Sequence, residues 1–215
     1  MVLAFPMLVR EWMTPDPETV AGSTPVMEAM QRMRRGGYRR LPVVEEGRLV
    51  GIVTDRDLKE ATPSSATTLS VYELNYLLSR MHVAEIMSSS LATVRPDDPI
   101  EAAALAMEER RVSGLPVERD GRLVGILTIT DLLRAFVGFL GLREGGTRVT
   151  VDAPDAPGVL ARMAQAGPPS NIVAAVTSEI EPGRTRRLVL RVVGEDAEGF
   201  PERLRAAGLD VVDER

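Results

Sequence analysis

Cysteine is absent from the 215 residues, so disulfides and thiolate metal sites are excluded. Histidine occurs once, at His82. That argues against a histidine-rich metal site and against a serine–histidine triad. Lysine also occurs once, at Lys59, and no GxxxxGK[ST] phosphate loop is present. No apolar run approaches the roughly 20 residues that a membrane-spanning helix needs. The start, MVLAFPMLVREWM, lacks a basic stretch followed by a long apolar one. No signal peptide is therefore expected, and a cytoplasmic location follows by default. The net charge of -5 argues against nucleic-acid binding. Arginine stands almost everywhere a lysine might, a bias that carries no function by itself.

What is there is an ordinary globular composition, 44% hydrophobic and 27% charged. The chain is long enough for one large core or two small ones. It also repeats itself. LPVVEEGRLVGIVTDRDL, from Leu41, returns as LPVERDGRLVGILTITDL, from Leu115, 74 positions later. The same shift lays Val9–Ala61 on Val83–Ala135 without a gap.

Each copy reads alike. TPVMEAMQRMRRGG has Val26, Ala29, Met30 and Met33 at helical spacing, with Thr24 as the cap and Pro25 at the first helical position. DPIEAAALAMEERR puts Asp98 and Pro99 in those roles. A short apolar run follows, then a hairpin turn at Glu46-Gly47, matched by Asp120-Gly121, then a second strand and a short helix near Asp55. The repeat is thus strand, helix, strand, strand, helix. At this size two copies should pack on each other. The intervening segment reads as a Ser/Thr/Pro linker and an amphipathic helix from about Val71, whose Leu74, Leu77 and Leu78 suit packing.

Both copies carry G-x-x-T-x-x-D where a strand ends and a helix begins: Gly51, Thr54, Asp57 and Gly125, Thr128, Asp131. The glycine would let a ligand approach the backbone, the hydroxyl would donate, and the helix start offers free N–H groups. The aspartate would accept from a ribose diol. One copy alone reads as well as a strand end with a helix cap. Two copies in register favour a nucleotide.

With these marks, Val9 to about Leu140 resembles a tandem pair of CBS domains, a Bateman module. The resemblance implies two related clefts for adenosine ligands such as AMP, ADP, ATP or S-adenosylmethionine, each built from both repeats. Carried over by position, one cleft would use Thr24, Ala29, Tyr38, Arg39 and Arg40 with Thr128, Thr130 and Asp131. The other would use Asp98, Ala103, Val112 and Ser113 with Thr54, Arg56 and Asp57. The first is favoured, because its Arg39-Arg40 pair suits bidentate phosphate contact where the second has Ser113-Gly114. A solvated basic face is the alternative for these arginines.

After Gly145-Gly146 the pattern changes to strand, helix, strand, strand, helix, strand, the ferredoxin-like βαββαβ order. Val149–Asp152 with Asp155–Leu160 is similar to the opening of ACT domains. That likeness implies an effector site at Asp155 and Gly158, bordered by Asn171. Ala156 stands where that family often has arginine, and Pro157-Gly158 reads equally as a helix start. The expected organisation is α/β (α+β): residues 1–61 and 82–141 as CBS domains, 62–81 as linker and helix, and 147–215 as an ACT-like domain. This order is similar to that of acetoin-utilisation proteins of the AcuB type.

The function that follows is a non-enzymatic sensor with an adenosine nucleotide as regulatory ligand, no catalytic cofactor and no metal. A small metabolite at the ACT-like domain, a link to acetoin and an unnamed protein target belong to the same reading. A homodimer is expected, because the repeat helices, with Val26, Met30 and Met33 or Ile100, Ala104 and Met107, carry more apolar surface than one small sheet covers. Two other classes stay open: a constitutive assembly module with vestigial clefts, and an enzyme using Asp57 or Asp131 as a base.

Overall fold

The computed structural model describes residues 7–61 and 79–214. The expected helix from about Val71, with Leu74, Leu77 and Leu78, lies outside the described residues. The chain divides into two compact units, with the boundary between Leu132 and Leu133.

In the first unit the repeats fold alike. The first copy gives β1 (Thr14–Pro15), α1 (Val26–Gly36), β2 (Arg40–Glu45), β3 (Arg48–Thr54) and α2 (Asp55–Glu60). The second gives α3 (Ile100–Arg110), β4 (Gly114–Arg119), β5 (Arg122–Thr128) and α4 (Ile129–Phe139), the last running across the boundary between the units. Both hairpin turns lie in the left-handed region: Glu46 and Gly47 at φ 48° and 78°, Asp120 and Gly121 at 54° and 76°. Positive φ at both central residues matches the twist of the strands they join.

The helices begin one residue later than the sequence suggests. Pro25 and Pro99 are extended, with ψ of 140° and 142°, and stand before the helix rather than in it. Thr24 Oγ1 accepts instead from the Ala21 N–H, and Asp98 Oδ2 from the Arg95 N–H. Each side chain closes the turn that leads into the helix.

The repeats exchange their first segments. Thr14 and Pro15 pair antiparallel with Ile126 and Gly125 of β5. The equivalent Ser88 pairs antiparallel with Ile52 of β3. Val83, which opens the second repeat, is fully buried in the core of the first, among Val26, Leu41, Val43 and Val53. Its N–H donates to the Thr24 carbonyl, just as that of Val9 donates to Asp98. Each copy therefore lacks a complete core until the other supplies its first turn.

This packing corrects two expectations. Gly51 and Gly125 make room for methionine, not for a ligand: a Cβ on either would collide with the sulfur of Met87 or Met13, each from the opposite repeat. The repeat helices are also better covered than expected. Val26, Met33, Ile100 and Met107 are buried, whereas Met30 and Ala104 stay partly exposed and Leu105 is 58% exposed.

The second unit contains β6 (Thr147–Pro154), α5 (Val159–Gln165), β7 (Asn171–Glu181), β8 (Thr185–Val193), α6 (Phe200–Ala206) and β9 (Asp210–Glu214). The sheet order is β7-β8-β6-β9, antiparallel throughout. Alternation in β6 and β8 sends Val149, Val151, Leu188, Leu190 and Val192 to one face, where Met163, Phe200 and Leu204 of the helices cover them. The βαββαβ expectation holds.

Phe200 is fully buried in that core. Phe200→Ala should cost the second unit about 3–5 kcal/mol, read by denaturant unfolding. A loss under about 1 kcal/mol would mean that the helices do not hold this sheet.

Candidate functional site

The strand exchange opens a cavity of about 480 Å3 in the first unit. Such a volume lies within the ~300–1,000 Å3 usual for small-molecule sites. Five residues expected in the first cleft line it: Tyr38, Arg39, Arg40, Thr128 and Thr130. The end of α1 and the start of β2 bring the first three. The junction of β5 and α4 brings the other two.

Three expected members stand elsewhere. Ala29 is fully buried, one helical turn from Val26 and Met33 in the core. Thr24 is engaged with Ala21. Asp131 lies beneath the cavity wall, 5% exposed. Its Oδ2 accepts from the Thr128 N–H at 2.9 Å and from the Thr128 hydroxyl at 2.6 Å. A carboxylate only accepts, so the Thr128 proton is committed to Asp131. Toward the cavity Thr128 presents lone pairs, not the donor that the sequence suggested. That suits a ligand hydroxyl. Asp131 is a positioning residue for Thr128.

Arg40 is the other fixed point. Its Nη2 donates to Ser113 Oγ at 2.8 Å. Its guanidinium lies where a side chain on residue 114 would stand, since a Cβ on Gly114 would overlap it. Residues 40 and 114 are equivalent in the repeat, so arginine on one side of the pseudo-two-fold relation fills the space that glycine leaves on the other. Burial pushes the Arg40 pKa down, nearby Asp55 opposes that, and Arg39 adds to it. A half-buried cation next to a second cation favours an anionic guest.

Sequence reasoning missed Thr14, Asp16 and Glu18, which also line the cavity. Their counterparts Ser88, Ser90 and Ala92 share no charge with them, so the repeat gave no signal. Only the exchange of β1 places them there. Glu18 is shared with Arg32 at 3.3 Å. The cavity thus has a cationic side at Arg39 and Arg40, a hydroxyl side at Thr128 and Thr130, and the carboxylates of Asp16 and Glu18 in its lining.

The residues expected in the second cleft are differently engaged. Ser113 lines the first cavity and holds Arg40. Ala103 is fully buried and Val112 is exposed. Arg56 pairs with Glu60 at 2.7 Å and is 83% exposed along its side chain. Thr54 and Asp57 cap α2 with the same bonds that Thr128 and Asp131 make, at 2.7 Å from both the N–H and the hydroxyl. Asp98 caps its own turn.

In the second unit Asp155 and Gly158 line a separate cavity of about 340 Å3 with Thr177 and Arg186, whereas Asn171 begins β7 opposite Val193. The Asp155 carboxylate receives Arg186 Nε at 2.7 Å. Gly158, at φ 89°, caps α5 in a conformation that favours glycine. Among the described residues no group of three or more His, Cys, Asp or Glu is placed to hold a metal. Among them, too, no helix is long and apolar enough to cross a membrane.

Comparison with known proteins fits this geometry. The CBS domain model matches residues 9–64 and 83–138, and the TTHA0829-like ACT domain model matches 145–215. A CBS domain-containing protein of Dictyostelium discoideum, DDB_G0289609, is 34% identical over 62% of this chain and 94% of its own length. An L-aspartate semialdehyde sulfurtransferase of Methanocaldococcus jannaschii is 32% identical over 61% of this chain, but the match spans only 23% of that enzyme. Among solved structures, the CBS domain pair of protein MJ0100, in complex with 5'-methylthioadenosine and S-adenosyl-L-methionine, is 32% identical with a TM-score of 0.52 over 62% of this chain and 98% of that one. CBSX2 in complex with AMP is 31% identical with a TM-score of 0.52 over the same shares, 62% and 98%. A putative acetoin utilization protein (AcuB) of Vibrio cholerae is 28% identical with a TM-score of 0.53 over 64% and 95%. The chain belongs to the CBS-domain family, with two CBS domains in tandem followed by an ACT-like domain.

Proposed function

We propose that the chain is a non-enzymatic sensor of an adenosine nucleotide, bound in the first cleft with its phosphate toward Arg39 and Arg40 and its ribose toward Thr128 and Thr130. The observation that carries this reading is the cavity itself, which gathers two arginines and two threonines from opposite repeats. Two similar CBS pairs were solved with adenosine compounds, which supports the ligand class. The arginine pair favours a phosphorylated ligand over the cationic S-adenosylmethionine. Ligand at 100 times its dissociation constant adds about 2.7 kcal/mol to stability. AMP or ADP should therefore raise the melting temperature.

A regulator acts through differential affinity for two arrangements. Here α4 begins in the cleft with Ile129 and Thr130 and precedes the ACT-like domain in the chain. A small effector at Asp155 and Gly158, a role in acetoin utilisation and an unnamed protein target extend the same proposal. The role in acetoin utilisation rests on the likeness to the Vibrio cholerae protein. A constitutive assembly module is the competing reading, favoured by the engagement of the second-cleft residues in local bonds. It predicts no thermal shift with any adenosine compound.

Arg39→Ala and Arg40→Ala should each weaken AMP binding about tenfold or more, the equivalent of one charge-assisted hydrogen bond, with little effect on adenosine. Calorimetry checks this, and equal losses for both ligands would assign the arginines to structure alone. Asp131→Asn should weaken both ligands, because it unlocks Thr128 on the ribose side. Unchanged affinity for both would take the Thr128–Asp131 pair out of the site. A homodimer completes the proposal. Light scattering at micromolar concentration should give twice the mass of one chain, and the mass of a single chain would remove the dimer.

A further inference from the structure

The sheet of the second unit has one face covered by its helices and one that is not. On the uncovered face β8 turns out Arg187, Val189 and Arg191, the residues between Leu188, Leu190 and Val192 of the core. Ala174 pairs with Arg191 and Val176 with Val189, so the two strands set these four residues side by side. The chain leaving α4 then passes beside them. Gly141, at φ 61°, ends the helix, and its Cα side faces Val173 and the aliphatic part of Arg191. Leu140 and Leu142 flank the turn.

Together these residues enclose a cavity of about 240 Å3, with Ala174, Val176 and Val189 in its lining, Leu140 and Leu142 beside them, and Arg148 and Arg191 as its cations. The cations are not alike. Arg148 is neutralised by Asp213 at 2.8 Å. Arg191 donates to the Gly145 carbonyl at 2.9 Å and has no carboxylate partner among the described residues. That bond pins the guanidinium and leaves its charge uncompensated. Leu142 and Val176 are 49% and 42% exposed, apolar surface that a guest would cover.

We propose that this cavity binds a small apolar monocarboxylate, a branched or straight chain of a few carbons, with its carboxylate on Arg191. The volume lies below the ~300–1,000 Å3 of drug-sized sites, which excludes a nucleotide. The apolar lining selects a hydrocarbon tail, and the uncompensated charge of the pinned guanidinium selects a carboxylate. The site is distinct from the cavity at Asp155 and Gly158, with which it shares no residue. It stands independently of the nucleotide reading.

The test is calorimetry on the full chain with 4-methylpentanoate and its neutral isostere 4-methylpentanamide. The acid should bind saturably at millimolar concentration, and the amide about tenfold or more weaker. Arg191→Gln should weaken the acid about tenfold, with Arg191→Lys intermediate. Ala174→Leu, which fills the lining, should abolish binding. All three variants should keep the wild-type melting temperature and AMP affinity, which separates failure here from failure of the nucleotide site. Equal binding of acid and amide, an unchanged Arg191→Gln, or no saturable binding of the acid would overturn the proposal. So would a cavity closed by a second copy of the chain, seen as acid binding that strengthens on dilution.

Discussion

The exchange of first segments between the repeats is the constraint on which the first unit depends. Val83 completes the core around Leu41 and Val53, while Thr14 and Pro15 extend the sheet of β4 and β5. Neither repeat can bury its apolar face alone, so the two fold as one object. The exchange also makes the site. A segment that crosses from one repeat to the other must leave its own helix at one end and meet the other sheet at the other. The space beneath that crossing is the cavity between Arg39, Arg40 and Thr128.

A two-fold repeat would give two equal clefts if its halves were equal, and here they differ at the place where they meet. Arg40 occupies the space beside Gly114 and takes Ser113 as its hydrogen-bond partner. A large side chain on both sides would collide, and glycine on both would leave the cleft without its half-buried cation. One arginine and one glycine is a packing solution with a chemical consequence, since it concentrates positive charge in the first cleft. The Thr54–Asp57 and Thr128–Asp131 caps, by contrast, are the same on both sides. What distinguishes the clefts is their cationic wall.

Much of this was legible in the residues. The offset repeat, the hairpins at Glu46-Gly47 and Asp120-Gly121, the α2 start near Asp55 and the βαββαβ tail all rest on local chemistry, and local chemistry is what sequence patterns report. The misses share a cause. Thr24, Ala29 and Gly125 are compatible with a ligand by type, but their surroundings come from distant segments: Ala29 is claimed by the core, and Gly125 makes space for Met13. Asp16 and Glu18 were invisible for the same reason, because only the crossing strand brings them to the cavity. The polarity of Thr128 also needed the structure. A hydroxyl can give or accept, and only its bond to Asp131 decides which.

The central claim is that the first cleft holds an adenosine nucleotide with its phosphate at Arg39 and Arg40. The most direct measurement is a crystal structure grown with saturating AMP. The account predicts density for one nucleotide in the cavity, with phosphate oxygens on the Arg40 guanidinium and a ribose hydroxyl donating to Thr128. Density in any other place, or an empty cavity in crystals of protein that binds AMP in solution, would contradict it.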